Sequence, residues 1–192
     1  MRSAALAPVC FALVSLSGCA WTDHRATLNP MLDVAPSAVG DGHGVQVAVV
    51  DERPRDMVGR RGAGGAIGET ISLDQDLDEV VRGKLEEGLE RNGFAIARGG
   101  GQDASSMKVE IRDFEYELVM GMWTGSAQTT AAMKAICRNG NETYERLYRA
   151  EHKRGAFFVP TGGKTDRMLD ETLSEVLGEV FRDQALLRFL AR

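Results

Sequence analysis

What this chain has little of limits it first. It holds three cysteines, Cys10, Cys19 and Cys137, and the first two lie in its apolar start. That leaves no pair for a disulfide inside the folded part, so a disulfide-stapled scaffold is excluded. The three histidines, His24, His43 and His152, are too scattered to make a metal site. No apolar run reaches the roughly 20 residues that a membrane-spanning helix needs. Positive charge is not in excess, since Lys and Arg number 23 against 28 Asp and Glu, a net charge of −5. That balance argues against a nucleic-acid footprint. Aromatics amount to only 6%. Phosphate-binding signatures are incomplete. Gly163-Lys164-Thr165 follows Gly162, but Phe158 stands where the phosphate loop needs its first glycine. Ile67 likewise stands where the Gly62-x-Gly64 run would need a third one. No serine sits in a nucleophile elbow. The sequence therefore predicts a protein that is not an enzyme and holds no metal or cofactor.

What is present begins at the N-terminus. Arg2 precedes a mostly apolar stretch, Ala4 to Leu16, interrupted by Pro8 and Ser15. Its length suits the core of a secretory signal and is too short to anchor by spanning. Leu16-Ser17-Gly18-Cys19 follows and resembles the lipobox of bacterial lipoproteins. That resemblance implies cleavage before Cys19 and lipid, palmitate included, on that residue. Residue 20 is Ala rather than Asp, which by the same resemblance implies sorting to the outer membrane, facing the periplasm. Residues 1–18 are then a signal peptide. Residues 19–44, with Pro30, Pro36, Gly40, Gly42 and Gly44 and no sustained period, read as a lipidated cysteine and flexible tether. Residues 45–192 read as one domain.

Within that domain, Val45 to Asp51 predicts a central strand buried on both faces. Ser72-Leu73-Asp74-Gln75 has the form of a capping box. It opens a helix with Leu73, Leu77, Val80, Val81, Leu85 and Leu89 on one face, stopped by Gly93. A short strand over Phe94 to Ala97 follows. Met107 to Leu118 alternates, but its phase slips near Arg112-Asp113, which predicts a β-bulge. Asn139-Gly140 between two strand-like runs predicts a hairpin. A two-residue turn there would pair Arg138 with Asn141, Lys134 with Glu145, Ala131 with Tyr148 and Ala135 with Tyr144. Cys137 shares the core face of that hairpin. Thr165 would cap a final helix whose apolar stripe runs from Leu169 to Leu190. The expected fold is α+β: a two-layer sandwich, with a mostly antiparallel sheet and two helices packed on one face.

The chain resembles the YajG-type lipoproteins of Gram-negative bacteria. The matching features are Leu16-Ser17-Gly18-Cys19, Val49-Val50-Asp51-Glu52-Arg53, Gly59-Arg60, Asn92-Gly93-Phe94, and Asn139-Gly140 with Tyr144. The resemblance implies an envelope location and a small α/β domain, and no activity. Two surfaces are candidates for binding. Arg53, Arg55, Arg60 and Arg61 in a glycine-rich loop could hold an anion such as a small ligand or cell-wall fragment. Met120, Met122 and Trp123 at a turn between strands would, if exposed, offer a contact for an envelope protein partner; if buried, they close the core. The leading expectation is a membrane-anchored, non-enzymatic interaction module that binds no nucleic acid; the alternative is a ligand binder using the arginine-rich loop.

Overall fold

The computed structural model describes residues 23–61, 68–98, 104–120, 125–156 and 161–192, apart from the side chains of Met120 and Ala156. The signal peptide, Cys19, Met122, Trp123 and residues 62–67 of the arginine-rich loop lie outside the described residues.

Three long strands dominate: β6 (Ser105–Met120), β7 (Gly125–Asn139) and β8 (Glu142–Ala156). They form an antiparallel meander, β6 to β7 to β8. The predicted bulge is present, with the β6–β7 register shifting between Ile111 and Asp113. Arg112 is the extra residue, so Ile111 and Phe114 both reach the core, 0% and 1% exposed. The β7–β8 hairpin is also present, but its register differs from the expected one. Asn139 pairs with Glu142 across Gly140-Asn141, so Ala131 faces Ala150, Ala135 faces Arg146 and Lys134 faces Leu147. Gly140 takes φ 55° as the first turn residue, where a glycine is the natural choice. The expected Lys134–Glu145 ion pair still forms, as a diagonal contact of 2.6 Å. Shifting the turn by one residue on each strand keeps every side chain on its expected face.

The other edge of β6 is shared. Residues 105–111 pair in parallel with β2 (Gly44–Asp51), and Tyr116 pairs with Gly59 of β3 (Gly59–Arg61). β3 is antiparallel to β4 (Glu69–Leu73), β4 is parallel to β1 (His24–Ala26), and β2 is parallel to β5 (Ala95–Ile96). Four of these seven pairings are parallel. This corrects the expected mostly antiparallel two-layer sandwich with two helices. The molecule is a mixed eight-stranded sheet forming a curled half-barrel, with three helices. The expectation missed β1, β3 and β4, which are too short to show an alternating pattern and pair with strands distant in sequence. β2 is buried on one face, not two: Val45 is fully covered, whereas Val50 is 39% exposed.

Helix α1 (Leu77–Arg91) buries Leu77, Val81, Leu85, Gly88 and Leu89. It starts at Asp76, later than the predicted capping box, because Ser72 and Leu73 belong to β4. Its end is a Schellman motif. Gly93 has φ 82°, its N–H donates to Glu90 O, and Phe94 N–H donates to Leu89 O. Helix α2 (Gly162–Arg182) has Thr161, not Thr165, at its N-cap, and Thr165 is buried within its first turns. The expected single final helix is interrupted at Asp183, whose side chain accepts from Ala185 and Leu186 N–H and so starts α3 (Gln184–Leu190). The ring of Phe181 on α2 lies against Gly88 of α1, where an added Cβ would meet it at 2.2 Å.

Residues 23–44 are not the free tether expected from their composition. Ala26, Leu28 and Leu32 are buried. Leu28 N–H donates to Gln75 Oε1, Asn29 N–H to Asp170 Oδ1 and Met31 N–H to Ser174 Oγ. Gly40 and Gly42 N–H then donate to Asn92 and Gly93 O. Prolines and glycines here shape a strap that crosses the helices.

Candidate functional site

Polar side chains concentrate at several places on the described residues, among them an interior cluster and a groove on the sheet. The first is interior. Asp183, 7% exposed, accepts hydrogen bonds from Tyr148 Oη at 2.6 Å, Tyr144 Oη at 2.7 Å and Arg146 Nη1 at 3.0 Å. Tyr144, Arg146 and Tyr148 alternate along β8 and therefore share one face. Burial by itself would raise the Asp183 carboxyl; the Tyr148 and Tyr144 hydroxyls, the Leu186 amide and the Arg146 charge outweigh it and hold the group below its usual value. Burial, then the hydrogen bond to Asp183, pushes the Tyr148 hydroxyl strongly upward, and Tyr144 moves the same way. Both phenols thus stay protonated as donors. The arrangement locks β8 to the α2–α3 junction and offers no acid or base poised near neutral pH. Nearby Cys137, fully buried as expected, has its thiol pushed up to about 12, chiefly by burial. Such a thiol is not a nucleophile.

The second place is the sheet face opposite the helices. Around the bulge lies a groove of about 870 Å³, lined by Arg112, Thr130, Ala132, Lys134, Leu147 and Arg149 among others. Its floor is Ala132, 8% exposed, and Leu147 stands at its side, 44% exposed. The bulge places Arg112 here, beside Glu52 at 2.8 Å and against Glu110. Lys108 bonds Glu110 at 2.8 Å. That bond, against burial and with Arg112, keeps the Glu110 carboxyl below its usual value. The rim is therefore a lattice of balanced charge around small apolar ground.

The four arginines of the sequence-level anion site are not all equivalent. Arg53 Nε and Nη2 bond Asp51 at 2.9 and 2.7 Å. Arg61 holds Glu69 through Nε at 3.0 Å. Arg55 and Arg60 are exposed. Met120 ends β6 opposite Gly125; its predicted companions Met122 and Trp123 lie outside the described residues. Among the histidines, His24 Nε2 lies 2.6 Å from Asp166 Oδ1. His152 Nε2 lies 2.6 Å from Glu175 Oε2. Among the described residues, no group of three or more His, Cys, Asp or Glu is placed to hold a metal ion. Nor is any helix of the described residues long and apolar enough to cross a membrane.

Sequence reasoning missed both the Asp183 cluster and the groove. The signal for the first was a polar residue breaking an apolar helical stripe, opposite two tyrosines of equal phase. The groove left no such signal, because it arises from the bulge and the small size of Ala132.

Residues 30–191 match the profile of a family described as uncharacterised lipoprotein. The chain belongs to that lipoprotein family. No curated protein matches it. Several solved structures are similar to the lipoprotein at low identity. A crystal structure of an uncharacterised protein superposes with TM-score 0.51 at 12% identity, covering 83% of this chain and 98% of that one. The uncharacterised lipoprotein B of Nitrosomonas europaea gives TM-score 0.47 at 8% identity, covering 84% and 94%. The rare lipoprotein B of Shewanella oneidensis gives 0.42 at 9%, covering 73% and 93%. At 12% identity the first of these likenesses concerns the fold alone. Membership makes the protein a membrane-anchored lipoprotein of the cell envelope.

Proposed function

We propose that this lipoprotein is a non-enzymatic interaction module, anchored through lipid on Cys19 to the periplasmic face of the outer membrane. It docks an envelope protein on the helix-free face of β6–β8. The observation that carries this reading is the groove at the bulge, where Leu147 and Ala132 form apolar ground inside a charge-balanced rim. An exposed apolar spot ringed by polar groups is what a protein partner covers. Balanced rim charges set register more than they add affinity. The partner presents an apolar side chain between Ala132 and Leu147. The lipobox-like Leu16-Ser17-Gly18-Cys19 and Ala20 support the anchor and its sorting. A ligand at the arginine-rich loop is less well supported, since Arg53 and Arg61 already hold Asp51 and Glu69.

The test is affinity capture from detergent-solubilised envelope with tagged full-length protein. A reproducible envelope partner, lost from Ala132→Tyr and retained by Arg60→Ala, is expected. An unchanged set of captured proteins for Ala132→Tyr contradicts the reading. For the anchor, labelled palmitate is expected in the native chain and absent from Cys19→Ser.

A further inference from the structure

The sheet ends in two very different ways. On one side its margins are β1 and β5, of three and two residues. On the other it ends at β8, a strand of 15 residues that pairs only with β7 among the described residues. A long edge leaves a row of backbone N–H and C=O groups without ladder partners and is a template for another strand. Edge strands in stable proteins are usually short, covered or charged against pairing. β8 is charged, but with both signs interleaved: Glu145, Arg149, Glu151 and Lys153 on the helix-free face, and Arg146 and Arg154 on the other. Mixed charge does not forbid pairing; it selects the register.

A second copy of β8 is the strand we test against that pattern. Antiparallel pairing about a two-fold axis brings each residue opposite a fixed partner, reciprocally. Keeping the helices of both copies on one side of a continuous sheet requires the axis to pass through a residue. With the axis at 145, 149 or 151, Glu145, Arg149 or Glu151 meets itself. With the axis at 146, Arg146 meets itself. An axis at 148 opposes Glu145 to Glu151, and one at 150 opposes Arg146 to Arg154. Axes such as 144 and 152 also avoid like-charge pairs but overlap only residues 142–146 and 148–156, whereas the axis at Leu147 avoids them over the longer stretch 142–152. It sets Leu147 against Leu147, Glu145 against Arg149 twice, Arg146 against Tyr148, and Glu142 against His152. Each opposite-charge pair across strands is favourable, and each like pair unfavourable. Leu147, 44% exposed, packs beside its mate at the axis on the helix-free face. Arg149, exposed and in no ion pair among the described residues, gains a carboxylate.

We propose that the β8 edge of this lipoprotein pairs antiparallel with β8 of a second copy, centred on Leu147 and registered by reciprocal Glu145–Arg149 pairs. The pairing uses the backbone edge of β8, while Leu147, on the helix-free face, also borders the groove proposed for the envelope partner.

Cysteine cross-linking of the full-length protein in envelope membranes tests it. In the proposed register, residue 147 lies directly opposite its mate, within the roughly 4.4–6.8 Å between Cα atoms that a disulfide requires. Residue 149 lies four strand positions from its mate, about 13 Å away. On mild oxidation, Leu147→Cys is expected to give a disulfide dimer on a non-reducing gel. Arg149→Cys gives no more than the unsubstituted protein, which reports the native thiols. Adding Arg149→Glu to Leu147→Cys lowers the dimer several-fold, and adding Glu145→Arg to that variant restores it. A monomeric Leu147→Cys, equal cross-linking at 147 and 149, cross-linking of 147 to a different protein, or a loss that the charge swap does not restore overturns the proposal. Capture is tested separately at Ala132 on β7, a strand that does not form this edge, so the two proposals can fail independently.

Discussion

The two halves of the sheet are held together differently. From β6 to β8 the strands are 15 or 16 residues long and run through continuous antiparallel ladders. From β1 to β5 the pieces are two to eight residues long, mostly parallel, and gathered from separate parts of the chain. The ladder half is joined by backbone hydrogen bonds between strands adjacent in sequence, by core side chains such as Ile111, Phe114 and Met133, and by the Asp183 cluster. The patchwork half depends on close contacts and straps. Gly59 meets Tyr116 O so closely that a Cβ would lie 2.1 Å away, and residues 24–44 are laced to α1 and α2. The lesson is that the long, regular half can leave one face open to solvent, because its order does not require a cover. The patchwork half leaves a face open too, as Val50 shows, but its short strands rely on the close contacts and the strap to stay in place.

Removing a side chain from each half should break this contrast in measurable ways. The largest effect is expected for Asp183→Ala, which strands the buried Tyr148 hydroxyl and the half-buried Tyr144 hydroxyl and uncaps α3. Loss of a buried, hydrogen-bonded charge costs roughly 3–5 kcal/mol. At about 2–4 °C per kcal/mol for a chain of this size, Tm should fall on the order of 10 °C by circular dichroism. Gly59→Ala comes next. Its methyl group cannot coexist with Tyr116 O, so β3 must leave β6, at roughly 1–3 kcal/mol. The loss should appear as faster amide exchange in residues 58–61 and 69–73, with β7 and β8 unchanged.

Acid should act chiefly on the ladder half. The folded Asp183 carboxyl lies below the ordinary value of 3.8, so its contribution is complete above that value and disappears as pH falls through the folded one. Asp51 and Glu110, both lowered, act in the same sense; Asp170, raised mainly by burial, opposes them. Denaturant titrations between pH 6 and 3 should therefore show stability falling towards acid, with a shallower slope in Asp183→Asn. The smallest effect is expected for Lys134→Ala. Its diagonal contact with Glu145 is largely solvated, so the change should stay within about 0.5 kcal/mol.

The same contrast governs what was legible in the sequence. The bulge at Arg112 and the hairpin at Asn139-Gly140 could be read because phase and turn chemistry are local. Gly93 as the stop of α1 was equally plain, since a left-handed residue follows the last turn. The hairpin register was missed by one residue per strand because Gly140-Asn141 is as good a turn as Asn139-Gly140. β3 and β4 were invisible, since three to five residues carry no period and their partners are distant. The tether reading failed for residues 23–44 because proline and glycine report an irregular backbone, not an unpacked one. Leu28 and Leu32 were the overlooked evidence. Of the binding surfaces, the arginines were named, but sequence could not show that Asp51 and Glu69 hold two of them.

The most direct measurement is site-specific photocross-linking in living cells, with the photoreactive residue at 132 in the ladder half or at 60 in the patchwork half. Both variants keep the full chain and its anchor. The account predicts a discrete adduct with an envelope protein from position 132 and none from position 60. An adduct from position 60 with none from position 132 would contradict it, moving recognition to the arginine-rich loop.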